Sequence, residues 1–142
     1  MKPAQDRRTI VQIRREMTAE LLERFYQFYD GVVCSVCLEL RAEPTQCVVV
    51  VQAQDRHSAS GWSRVRFVVQ AVSEFRFQLG KGTFEVLSGG VQLGWFGDSI
   101  CVVFDAYPDD GPQMPDLRTN AAYVIGATCD VEISALPSPS DG

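Results

Sequence analysis

Histidine is nearly missing from this chain: His57 is alone of its kind among 142 residues. Catalysis by a nucleophile–histidine pair would have to run through that one position, and neither G-x-S-x-G nor H-E-x-x-H accompanies it. Long apolar runs are missing as well. The longest, CVVVV at 47–51, is one strand long, far short of the ~20 residues a membrane-spanning helix needs, so no membrane association is expected. No dinucleotide or P-loop fingerprint occurs: Gly80-Lys81-Gly82 fits neither, and no helical pattern follows it to hold a phosphate. The start, MKPAQDRRTIVQIRREM, has no apolar h-region, which leads us to expect no secretory signal and a cytoplasmic protein. Basic charge is in deficit too, with 13 Lys and Arg against 18 Asp and Glu. A phosphate backbone demands a Lys/Arg surface that displaces counterions, so nucleic acid is not an expected partner. A net charge of -5 favours basic partners instead.

Cysteine is present, five times, but not in a metal-binding arrangement. Cys34-Ser35-Val36-Cys37 has the C-x-x-C form, yet Cys47, Cys101 and Cys129 stand alone and supply no second pair. On a strand, positions i and i+3 point to opposite faces, so the two sulfurs would not share an ion. Buried free thiols acting as small apolar groups are the expectation, with no metal and no cofactor.

What the chain does contain is alternation. Within residues 61–105, Val65, Phe67 and Val69 alternate with Arg64, Arg66 and Val68, and Phe75, Phe77 and Leu79 alternate with Glu74, Arg76 and Gln78. Period 2 of this kind marks strands with one face on a core. Glycine turns at 80–82, 88–90 and 97–98 are too short for crossovers, so this stretch is expected to form an antiparallel meander. Residues 31–41 alternate again, with Val32, Cys34, Val36, Leu38 and Leu40 on one side. The unbroken valines of 46–54 predict a central strand covered on both faces. Residues 9–14 suit a short edge strand or the lead-in to a helix. Residues 121–135 read as one long strand, with a bulge at Gly126.

One helix is predicted. Thr18 is placed to cap its N-terminus, Glu20 lies in its first turn, and Leu21, Leu22, Phe25, Phe28 and Tyr29 make one stripe of a 3.6-residue period. Asp30-Gly31 should end it after about three turns, Gly31 taking the left-handed conformation. The fold class is therefore α+β: about seven or eight strands, mostly an antiparallel meander forming a curved sheet or a partly open barrel or sandwich, with one N-terminal amphipathic helix packed on it. A chain this long holds one domain and buries roughly 70% of its unfolded surface. We expect that domain over 1–136 and a disordered Pro/Ser-rich tail over 137–142. The polar loop DRHSASG, 55–61, has no proline and is expected to be mobile.

No constellation here carries chemistry, which leaves surface. The segment 107–120 has three prolines, no periodicity and a run of carboxylates. Aromatic anchors with a charged rim are the usual composition of a protein-binding face, so Tyr107, Asp109, Asp110, Asp116 and Trp62 are the candidate partner-binding residues.

Across residues 25–105 the order of signals resembles a family of small bacterial immunity proteins of polymorphic toxin systems. The similarity rests on a helix ending in Phe28-Tyr29-Asp30-Gly31, paired strands at 32–40 and 47–53, the segments Trp62-Ser63-Arg64-Val65-Arg66-Phe67 and Val72-Ser73-Glu74-Phe75-Arg76-Phe77, and the strand at 100–105. It implies a catalytically silent α+β domain that binds and neutralises a cognate toxin of basic character through an acidic surface. The alternative is a small-ligand-binding, barrel-like protein with a pocket between helix and sheet. A deep cleft gathering His57 with acidic or thiol groups would speak against the non-catalytic reading.

Overall fold

The computed structural model describes residues 9–41, 43–77, 86–105 and 122–136. Among them, ten strands build two antiparallel sheets, and one short helix, α1 (Thr18–Arg24), lies near the N-terminus. The class is α+β and mostly antiparallel β, as the alternation predicts. The first sheet runs, edge to edge, β1 (Thr9–Gln12), β10 (Thr128–Ala135), β4 (Trp62–Gln70), β3 (Gln46–Gln54), β2 (Gly31–Glu39) and β6 (Val86–Leu87). The second runs β5 (Glu74–Phe77), β9 (Ala122–Gly126), β8 (Ser99–Phe104) and β7 (Val91–Phe96). Neither closes on itself. Among the described residues no helix is long and apolar enough to cross a membrane.

The two sheets share one apolar layer. Val49, Val51, Val65 and Phe67 of the first and Ile100, Val102, Phe104 and Val124 of the second belong to a single buried cluster. An aromatic chain crosses it: Phe25 to Phe28 at 4.9 Å between ring centroids, Phe28 to Phe67 at 5.3 Å, Phe67 to Phe104 at 5.4 Å and Phe104 to Phe77 at 5.8 Å. Such offset and edge contacts each add to the burial of the rings themselves.

β3 lies in the interior of its sheet, as the run of valines predicts, and β1 is a true edge. The pairing within residues 61–105 departs from a meander. β4 pairs with β3 and β10, β5 with β9, and β6 with β2; among the described residues only β7 and β8, joined at Gly97-Asp98, form the expected hairpin. The Ser88-Gly89-Gly90 turn carries the chain from one sheet to the other, since β6 and β7 are not paired. The turn at 80–82 lies outside the described residues.

The reason is a pair of corners. After β4 the chain bends at Ala71, whose φ is 54°, and enters β5 of the other sheet. The stretch read as one long strand likewise breaks at Ala127, giving β9 to the second sheet and β10 to the first. The two corners hold each other: Ala127 N–H donates to the Gln70 carbonyl at 2.9 Å and Ser73 N–H to the Ile125 carbonyl at 2.8 Å. Gly126 is needed for that approach, because a Cβ there would sit 2.6 Å from the Gln70 carbonyl oxygen.

Two local expectations change for similar reasons. In β2 the register slips at Cys34, so Val33, Val36 and Leu38 pack on the core, whereas Val32, Cys34, Val36, Leu38 and Leu40 were expected to share one face; Leu40 is exposed. Cys34 and Cys37 both come out exposed and unpaired; Cys47, Cys101 and Cys129 are buried, as small apolar groups should be. The tail at 137–142 lies outside the described residues.

Candidate functional site

α1 is shorter than its apolar stripe. It covers seven residues, is preceded by a 3-10 turn at Arg15–Met17, and begins at Thr18 with no side-chain cap. The Thr18 hydroxyl donates back to the Arg14 carbonyl at 3.1 Å and is not the cap. Beyond Arg24 the chain enters a 3-10 turn, Tyr26–Phe28, of the opposite hand. Tyr26, Gln27, Phe28 and Asp30 have φ of 55°, 61°, 61° and 64°. Gly31, expected to take that conformation, does not; it is needed instead for closeness, since its Cβ would lie 3.2 Å from the Phe28 carbonyl oxygen and from Val51 Cγ1.

Left-handed backbone costs about 1–2 kcal/mol for a residue with a Cβ, so four such residues persist only where the surroundings over-determine them. The surroundings here are plain. Phe25 and Phe28 are wholly buried and stacked, pinning the turn from beneath. Asp30 N–H donates to the Leu87 carbonyl at 2.9 Å. The Gln27 carbonyl oxygen packs against Gly90, 2.2 Å from where a Cβ would lie, and Gly90 itself has φ of 71°. With the two phenylalanines turned inward, the two tyrosines turn outward: Tyr26 is 39% and Tyr29 45% exposed.

The loop at 55–61 is tied to the end of α1 by an ordered network. Asp55 is buried, and its carboxylate accepts from Arg24 Nε and Nη2 at 2.8 and 3.0 Å, from Ser63 Oγ at 2.5 Å and from the His57 backbone N–H at 2.9 Å. Burial pushes the Asp55 carboxyl up, but the Arg24 and Ser63 hydrogen bonds, the His57 N–H and the Arg24 charge outweigh it and hold it below its ordinary 3.8. Arg56 completes the link. Its backbone N–H donates to the Arg24 carbonyl and its Nε to the Glu23 carbonyl at 2.9 Å, so helix-end acceptors find donors, while its guanidinium lies 4.0 Å over the Tyr26 ring. The loop expected to be mobile is thus fastened to the helix.

Between α1 and the β1–β10 edge lies a half-open cavity of about 270 Å³. Val11, Met17, Leu21 and Ile133 form its apolar part, and Glu20, Glu23, Arg24, Arg56 and His57 its polar part. His57 therefore shares a cavity with two carboxylates, a juxtaposition that no local pattern could disclose because Glu20 and Glu23 lie on α1 and His57 on the loop at 55–61. Asp55 takes the backbone N–H of His57 and leaves the imidazole without an orienting partner among the described residues. The buried thiols are not activated either: burial raises Cys47 to about 11 and Cys101 to about 12, and pushes Cys129 up as well. No cluster of three metal-ligating side chains occurs among the described residues.

Of the residues singled out from sequence, Tyr107, Asp109, Asp110 and Asp116 lie outside the described residues. Trp62 opens β4 and is half-buried, its carbonyl accepting from Ser58 Oγ at 2.8 Å and Ser60 Oγ at 3.1 Å. Tyr29 was assigned by period to the buried stripe and Tyr26 was not singled out; the reversal of hand after Phe25 is what brings Tyr29 out beside Tyr26. No protein-family model, no curated protein and no solved structure matches the chain.

Proposed function

We propose that this chain is a non-catalytic protein-binding domain of the immunity-protein kind, which seats a basic protein partner on the aromatic turn after α1. The observation that carries the reading is the left-handed turn at 26–30, with two tyrosines held outward on a strained and fully anchored backbone. Strain of this sort is kept where function needs it. Tyrosine gives large contact area for little ordering entropy, and a turn already fixed in place loses none on binding. Asp30 and Asp105 are exposed near Gly89-Gly90, against which Tyr29 packs, and Glu23 is exposed one turn before Gln27. With a net charge of -5, this rim favours a partner of positive charge and speeds its association.

An acid–base enzyme is the competing reading of the cavity. Base work by His57 would gain from a carboxylate that orients its ring, and the neighbouring Asp55 is committed instead to Arg24, Ser63 and the His57 backbone N–H. The small-ligand alternative, a barrel-like protein with a pocket between helix and sheet, draws support from the cavity, although neither sheet closes on itself.

The test is co-purification of the chain with the product of the adjacent gene, together with rescue of growth when that product is expressed. Tyr26→Ala and Tyr29→Ala should each weaken the complex by about tenfold or more while leaving the melting temperature of the free chain within about a degree or two. A complex indifferent to both removes the turn from the interface; no complex and no rescue removes the reading. Neutralising Asp109, Asp110 and Asp116 together examines the acidic segment separately, and unchanged affinity would remove it.

A further inference from the structure

The cavity beside α1 is small. At about 270 Å³ it falls just below the roughly 300–1,000 Å³ that drug-sized ligands and cofactors occupy. One long side chain fits that scale better than a nucleotide or a lipid. Its lining is also divided: an apolar wall of Val11, Met17, Leu21 and Ile133 on one side, and on the other a charged mouth.

The mouth has a net negative sign once its charges are summed. Arg24 is held bidentately by buried Asp55, and the two charges cancel. Arg56 is held in place on Tyr26 and by the Glu23 carbonyl but keeps its charge, so two carboxylates face one guanidinium and the balance is negative. What remains uncommitted is the carboxylates of Glu20 and Glu23, neither with a hydrogen-bond or ion-pair partner among the described residues, beside the His57 ring. An apolar wall leading to an acidic, water-facing mouth matches a side chain with a hydrocarbon stem and a cationic head. Such a chain buries the stem while its head stays partly hydrated, so the desolvation cost that makes buried charges unfavourable is largely avoided. A carboxylate ligand would meet Glu20 and Glu23 as like charges.

Arg56 connects this cavity to the exposed turn, because the same side chain lines the one and stacks on Tyr26 of the other. We infer that the cavity at the α1–β1–β10 seam receives a lysine or arginine side chain of the protein partner that docks on Tyr26 and Tyr29. The inference rests on the protein-binding reading and adds the chemistry of the group that is read.

The experiment uses the full chain, labelled at its methyl groups, and follows the Met17, Leu21, Val11 and Ile133 signals by NMR. It is titrated with N-acetyl-lysine methylamide and, separately, with the norleucine and glutamate compounds of the same form. The lysine compound should move these methyls at millimolar concentration and bind roughly fivefold more tightly than the norleucine compound, an advantage that added salt reduces. In a Glu20→Gln/Glu23→Gln double variant, whose changes are at exposed positions and should leave folding intact, that preference should vanish. Equal or tighter binding of the norleucine or glutamate compound, or no movement of the Met17 and Leu21 methyls, overturns the inference. If the partner still binds through Tyr26 and Tyr29 in that case, the protein-binding reading stands without it. A lysine-selective cavity in a chain that captures no partner would remove the broader reading and leave the cavity's own preference assigned.

Discussion

A buried carboxylate costs several kcal/mol unless its lone pairs find donors, and Asp55 finds four of them in Arg24 Nε, Arg24 Nη2, Ser63 Oγ and the His57 N–H. Removing the charge while keeping the shape leaves Arg24 facing an amide, so Asp55→Asn should lower unfolding stability by about 3 kcal/mol at neutral pH, read by urea denaturation. The pH dependence follows from the direction of the shift. The folded-state value lies below the ordinary 3.8, so the stabilisation is complete above that value and is lost as pH falls through the folded one. The gap between the natural chain and Asp55→Asn should therefore close as pH drops below about 4, and a gap constant down to pH 2 would contradict the assignment. Sequence offered only a polar loop around His57. Asp55 and Arg24 are 31 positions apart, and nothing local marks them as partners.

At the scale of the element, α1 and the turn after it divide a single apolar stripe in two. Leu21, Phe25 and Phe28 were legible as core from their spacing, and all three are buried. Tyr29 shared the spacing and is exposed, because the chain changes hand at Tyr26 and the 3.6-residue period stops applying there. Gln27 sits at φ 61° and ψ 14°, where a glycine loses nothing to sterics and a β-branched residue loses most. Gln27→Gly should thus be neutral or stabilising by up to about 1 kcal/mol, whereas Gln27→Val should destabilise by about 2 kcal/mol. Thermal unfolding of the two variants distinguishes a strained turn from an ordinary one, since at a relaxed position glycine would be the more harmful of the pair.

Taken whole, the molecule is two sheets joined through one apolar layer, and Phe67 is where they meet. Its ring touches Phe28 beneath the turn and Phe104 of the facing sheet. Phe67→Ala should cost about 4 kcal/mol and should loosen the turn along with the core. Faster hydrogen exchange at the Phe28, Tyr29 and Asp30 amides would report this; unchanged exchange there would show that the turn is held independently of the layer. The strands themselves were readable, because alternation of side chains across a strand is a property of neighbouring residues. Val65, Phe67 and Val69 face the core as their period requires, and Val49 and Val51 likewise. Pairing was not readable. A hydrogen-bonded neighbour is chosen by where the chain bends, and the bends at Ala71 and Ala127 are fixed by each other's carbonyls across more than fifty residues. Short connections therefore led to an expected meander, where the chain in fact changes sheets.

Local spacing was enough to read the class of fold, the amphipathic start of α1, the central position of β3 and the identity of most core residues, since each depends on neighbours a few positions away. Long-range contacts settled which strands lie side by side, that the chain reverses hand after α1 and turns Tyr26 and Tyr29 outward, and that His57 shares a cavity with Glu20 and Glu23. Those features arise from contacts between distant segments, whose balance of buried rings, paired backbone groups and local strain exists only once the chain has closed around its core.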